Sequence, residues 1–108
     1  MSRSKGNEGE ERAVRYLEER GFLIIDRNYT KKGGELDIVA RKEGVLRFVE
    51  VKSGTGFDPI QNLTPQKLRR VITMAQRYVQ KAKWDGPWCI DAIIVRDGEI
   101  EFLENVTF

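Results

Sequence analysis

The sequence predicts a single-domain α/β fold, a mixed sheet flanked by helices, on three observations. Two segments repeat apolar residues at helical spacing, and five shorter ones are apolar or alternate apolar with polar. Gly, Pro, Asn and Asp clusters separate them in the order helix, three strands, helix, two strands. At 108 residues, with 40% apolar and 33% charged residues, the chain can build one ordinary hydrophobic core without disulfides or structural metals.

The first helix is expected from Glu8 to Arg20, with an apolar stripe of Ala13, Val14 and Leu17 and Tyr16 beside it. Asn7 with Glu10 three residues on reads as a capping box, and Gly21 as the stop. Phe22 to Ile25 reads as a short strand and Asn28 to Gly34 as a turn or loop. Gly34 to Ala40 and Leu46 to Lys52 then form a hairpin through Glu43-Gly44. From Ser53-Gly54-Thr55-Gly56 to Leu63 runs a segment placed either to close over a ligand or merely to connect. Thr64 caps the second helix with Pro65 in its first turn. Leu68, Val71, Ile72, Ala75, Tyr78, Val79 and Ala82 share its apolar face, and Gly86-Pro87 ends it. Trp88 to Val95 is an apolar strand interrupted by Asp91, joined through Asp97-Gly98 to Ile100 to Leu103.

Several functions are excluded at once. The chain has no histidine, so Ser-His-Asp and Cys-His catalysis and imidazole-bound zinc are ruled out. Any metal would have oxygen ligands, which favours Mg2+ or Mn2+. No apolar run approaches the length of a membrane span, and the start of the chain has no signal-peptide core. One cysteine, Cys89, forbids an internal disulfide and reads as a small buried hydrophobe; together these point to a cytoplasmic protein with no membrane partner. The net charge is only +2, yet from Pro59 to Trp84 six cations (Lys67, Arg69, Arg70, Arg77, Lys81, Lys83) stand without an acid. Such a helix is either a phosphate-facing surface or a solvated face.

The main functional clue is acid in the two hairpin strands. A two-residue loop at Glu43-Gly44 sets Asp37 opposite Glu50 and Glu35 opposite Lys52, and cross-strand partners share a face. Carboxylates in an apolar strand must be paired, hydrogen-bonded or bound to metal. Two carboxylates and an amine on one patch suit phosphodiester hydrolysis. Asp37, Glu50 and the Val51 carbonyl would hold the cation, and Lys52 would orient or deprotonate water or stabilise the pentacovalent phosphate. Glu-X-Lys alone more often means a solvated strand face; the neighbouring Asp37 and the element order add weight.

Asp37 followed by Glu50-Val51-Lys52 in an αβββαβ order resembles the PD-(D/E)xK superfamily, the restriction-endonuclease-like fold. Gly6-Asn7-Glu8-Gly9-Glu10, Asn28-Tyr29, Gly34 to Ala40 and Phe48 to Lys52 more closely resemble the YraN family, bacterial proteins related to archaeal Holliday junction resolvases. The resemblance spans about Gly6 to Val95. It implies a restriction-endonuclease-like αβββαβ core with an extra C-terminal strand, and metal-dependent hydrolysis of DNA, including branched DNA. It implies Asp37 and Glu50 as metal ligands, Lys52 as catalytic and Glu10 reaching the site from the first helix, against the cap that its spacing alone favours. It also implies Gln66, Lys67 and neighbouring Arg70 near the DNA backbone, and a homodimer as in related resolvases. Two departures stand out: Leu36 precedes Asp37 where the superfamily name has proline, and Lys52-Ser53-Gly54 replaces the usual Lys-Thr-Arg.

Two rivals remain: a nucleic-acid-binding module of the same fold without turnover, and a scaffold whose acidic cluster binds a partner's basic segment. Asp91 is expected to be a structural acceptor or partner of a helix arginine rather than a helper of the metal cluster. Trp84 and Trp88 are expected to pack over the end of the core rather than stack on bases.

Overall fold

The computed structural model describes residues 7–54 and 63–107, with the side chain of Asn7 outside that description. The elements run α1 (Asn7–Glu19), β1 (Leu23–Lys31), β2 (Gly34–Lys42), β3 (Val45–Ser53), α2 (Pro65–Ala82), β4 (Trp88–Arg96) and β5 (Glu99–Leu103). The five strands form one sheet in the order β1-β2-β3-β4-β5, antiparallel except for the parallel β3–β4 pair that α2 connects. This is the expected αβββαβ core with an extra C-terminal strand.

The sheet separates two apolar cores. On one side Ala13, Val14 and Leu17 of α1 pack on Ile38, Ala40, Val49, Ile93 and Val95. On the other, Val71, Met74 and Ala75 of α2 pack on Leu36, Val39, Leu46, Phe48 and Ile90. Tyr29, Tyr78, Phe48 and Trp88 extend the second core through edge-to-face contacts with ring centroids 4.9–5.7 Å apart. Both tryptophans pack there as expected, and the Trp84 indole donates to the Pro87 carbonyl at 3.0 Å.

Both helices end in a Schellman arrangement. For α1, the amide of Phe22 bonds the Leu17 carbonyl and that of Gly21 the Glu18 carbonyl, with Gly21 at φ 90°. In α2 the equivalent left-handed residue is Lys83 (φ 57°), so the helix stops before the expected Gly86-Pro87. At the other end the Thr64 hydroxyl accepts from the Lys67 amide, the expected cap.

One expected boundary is wrong. Asn28 to Gly34 is not a loop; β1 continues to Lys31 and turns through Lys32-Gly33. Its polar residues are answered from α1, as Arg27 pairs with Glu11 at 2.9 Å and Asn28 bonds Glu10. β1 is an edge strand, and Leu23 (57%) and Ile25 (43%) are its exposed large apolar residues, Ile25 lying at a bulge between Ile24 and Asp26. Of the segment from Ser53 to Leu63, placed either to close over a ligand or merely to connect, residues Thr55 to Asn62 lie outside the described residues.

Candidate active site

The β2–β3 hairpin has the expected register, Lys42↔Val45 through Ile38↔Val49. The paired ladder stops there, one step short of Asp37 and Glu50. Beyond it the carboxylates take over from the main chain: Asp37 Oδ2 accepts the Val51 amide at 2.9 Å, and Glu50 Oε2 accepts the Asp37 amide at 3.5 Å. The two acids therefore meet as the turn geometry requires. Glu35 instead pairs with Thr30 of β1.

On the β1 side the paired residues pass from Arg27↔Ile38 to Tyr29↔Leu36, leaving out Asn28 and Asp37. Asn28 has a left-handed backbone, φ 53°. The strand alternation breaks here: Leu36 packs with the α2 core, Ile38 with the α1 core and Val39 with the α2 core. Asp37 thus sits at a local twist of the sheet, freed from regular pairing on both sides. Irregularities of this kind re-aim side chains at the edges of regular structure.

Burial is the main cause of a raised carboxyl pKa at both acids. Asp37 is further raised by Glu10 and Glu35 and held down by its Val51 bond and by Lys52. Glu50 is raised next by Asp37 and held down by its bond to the Asp37 amide and by Lys52. Glu50 is buried and Asp37 and Lys52 are half-buried. Among the described residues Lys52 has no ion pair within 4.0 Å, so its ammonium influences both acids without being tied to either.

Glu10, from the first turn of α1, is 7% exposed. Its Oε1 accepts from the Asn28 amide at 3.0 Å and lies 3.5 Å from the Arg27 guanidinium. Gly9 explains the close approach of this turn: a Cβ there would stand 3.2 Å from Ser53 Cβ and Oγ, next to Lys52. The partner half of the expected capping box, Asn7, lies outside the described side chains. Sequence reasoning gave Arg27 no role and named Asn28 only within the Asn28-Tyr29 motif and at the start of an expected loop; no local signal marks their contacts with α1.

Gln66, Lys67 and Arg70 are exposed on α2, alongside Arg69, Arg77 and Lys81. Asp91 lies on the neighbouring strand β4, opposite Val49. It is fully buried and accepts from Arg47 (3.2 Å to each oxygen), the Asn105 amide (2.8 Å) and the Cys89 thiol (3.5 Å). Its role as a structural acceptor is as expected, but the arginine comes from β3, not a helix. Cys89 is half-buried rather than buried, and burial pushes its thiol up to about 11.

Among the described residues no group of three or more Asp, Glu or Cys side chains forms a cage. Two carboxylates with a main-chain carbonyl and water is nevertheless how Mg2+ is commonly held, since it keeps much of its hydration. Asp37 and Glu50 each have one oxygen engaged by an amide, and their mutual repulsion is relieved by a cation. The residues fit a hydrated Mg2+ or Mn2+.

The pKa shifts carry a stability consequence. Each acid holds its proton in the fold above the ordinary carboxylate range of about 4. As pH rises from that range to the raised native value, the unfolded chain loses protons that the folded one keeps. Stability of the metal-free protein therefore falls through that window and is unaffected by these groups below it. Glu50→Gln in chelator is expected to raise stability at pH 7 by on the order of 1–2 kcal/mol, with the gain disappearing near pH 4. Urea denaturation at the two pH values checks this; a loss at pH 7 would contradict the strained-acid reading.

The class that the fold defines is an α/β domain of one five-stranded mixed sheet and two helices, with an acidic pair and a lysine on two adjacent central strands. The family model described as "Uncharacterised protein family UPF0102" matches residues 9–95. A UPF0102 protein of Wolinella succinogenes is 53% identical over 107 residues, covering 99% of both chains. One from Sulfurovum sp. is 50% identical over 104 residues (94% of this chain, 92% of the relative), and one from Helicobacter pylori strain HPAG1 is 47% identical over 106 (98% and 93%). The chain belongs to UPF0102, the YraN family.

Proposed function

We propose that the protein is a Mg2+- or Mn2+-dependent endonuclease that hydrolyses DNA phosphodiester bonds, with branched DNA as the substrate the YraN resemblance favours. One observation carries this reading: Asp37 and Glu50 are interlocked, Asp37 accepting the Val51 amide and Glu50 the Asp37 amide, beside a lysine that has no ion pair within 4.0 Å among the described residues. A bound divalent cation supplies positive charge at the phosphate and lowers the pKa of water. Asp37, Glu50 and the Val51 carbonyl would hold it. Lys52 faces the phosphate, orienting the attacking water or stabilising the crowded phosphorus centre. Gln66, Lys67 and Arg70 bind the DNA backbone, and a two-fold homodimer would address both strands.

Calorimetric titration with MnCl2, wild type against Asp37→Ala, tests the site. Saturable binding in the wild type and none in the variant is expected; no binding by the wild type at millimolar Mn2+ would sink the proposal.

A second reading is supported by Gly54, which stands where the family pattern has a basic residue. The protein then binds nucleic acid through the cationic face of α2 without cutting it. In that case binding weakens steeply with salt, and no Mn2+-dependent cleavage accompanies it.

A further inference from the structure

The geometry points to Asn28 as a positioning residue that holds Glu10 beside the acidic pair through its side-chain amide. This rests on the proposed metal site and adds to it a residue with a defined task. Asn28 has two properties that coincide at one position. Its left-handed backbone (φ 53°) falls where β1 and β2 leave a pair unmade, opposite Asp37. Its amide then points away from the sheet ladder and donates to Glu10 Oε1 at 3.0 Å. Asparagine is among the few residues other than glycine that enter this conformation readily, and it is the one that also brings an amide donor.

The same Glu10 oxygen receives Arg27 at 3.5 Å. Both holding contacts fall on Oε1, and among the described residues no hydrogen bond engages Oε2. One oxygen fixes the carboxylate, whose charge acts on Asp37, and the other would be free to accept from the hydration shell of a cation held there. The close packing of Gly9 on Ser53 sets the height of this turn of α1 over the end of β3, and Asn28 sets the direction of the side chain. Outer-shell partners of this kind orient ligands and commonly change metal affinity by about 10–100-fold when removed.

Three variants separate positioning from folding. Asn28→Gly keeps access to the left-handed backbone and drops only the amide. Glu10→Gln removes the charge being held, and the double variant joins the two. Asn28→Gly is expected to fold with an unchanged circular dichroism spectrum and to bind Mn2+ about tenfold more weakly by calorimetry. In the Glu10→Gln background the same substitution is expected to have no further effect, because it acts through Glu10. Additive losses, or wild-type affinity in Asn28→Gly, would overturn the assignment. The contact itself is read without metal: in 15N-labelled protein the Asn28 side-chain NH2 resonances should be protected from exchange and shift in Glu10→Gln. Free exchange of that amide refutes the clamp. Intact protection with no Mn2+ binding refutes the metal site instead, and with it Asn28's role there.

Discussion

Lys52→Ala is expected to lower Mn2+-dependent cleavage of DNA by at least about a hundredfold while DNA binding and folding survive. The lysine is half-buried at the end of β3, and among the described residues it has no ion pair. Truncation therefore strands no buried charge, and the fold should lose little. What is lost is a positive charge that opposes the raised pKa values of both Asp37 and Glu50. Lys52→Arg should not restore full activity, since a planar, strongly basic guanidinium cannot replace a compact ammonium that exchanges a proton with water. Asp37→Asn is the parallel variant: its amide oxygen can still accept the Val51 amide, so structure is retained while the negative donor disappears. Cleavage measured on nicked, linear and four-way DNA with purified variants decides the matter. Equal cutting by wild type, Lys52→Ala and Asp37→Asn would assign the activity to a contaminant.

The second large effect concerns stability, not chemistry. Asp91→Ala is expected to destabilise the protein by about 3 kcal/mol, a fall in melting temperature of more than about 10 °C for a domain of this size. The carboxylate is fully buried and holds three partners: Arg47, the Asn105 amide and the Cys89 thiol. Removing it leaves a guanidinium whose Nε is already buried without an acceptor, although the side chain is still 20% exposed and so finds some water. It also unfastens the C-terminal segment, whose other main-chain tie is the Val106 amide on the Ile90 carbonyl at 2.8 Å. Asp91→Asn keeps an acceptor for Asn105 and should lose less. Mn2+ affinity of folded Asp91→Asn should equal that of the wild type; a matching drop would make Asp91 a member of the site after all. Thermal denaturation and calorimetry on the same preparations supply both readings.

The central hairpin was legible because its physics is local. A two-residue turn and strict alternation together fix which residues face one another, and Asp37 and Glu50 follow from that alone. The capping and stop signals of the helices are local too. What escaped depends on distant partners. Asn28 to Gly34 look like a loop until α1 is placed over the start of that stretch and Glu10 meets Asn28; the polarity of β1 is matched by a helix that precedes it. Arg47 as the partner of Asp91 follows from the parallel register of β3 and β4, which no single-strand pattern contains. The spacing of Asn7 and Glu10 suggests a cap, and the carboxylate's contact with Asn28 requires the tertiary fold.

The sheet also acts as a partition. Because the apolar interior on the α1 side shares no buried residue with that on the α2 side, changes in one compartment need no matching change in the other. A lineage can reshape the cationic helix, and with it the proposed DNA contact, by drifting the residues beneath it. The carboxylates on the central hairpin, and Glu10 on the far helix, keep their support throughout. The proposed recognition and the proposed reaction can thus evolve on separate schedules within one small domain.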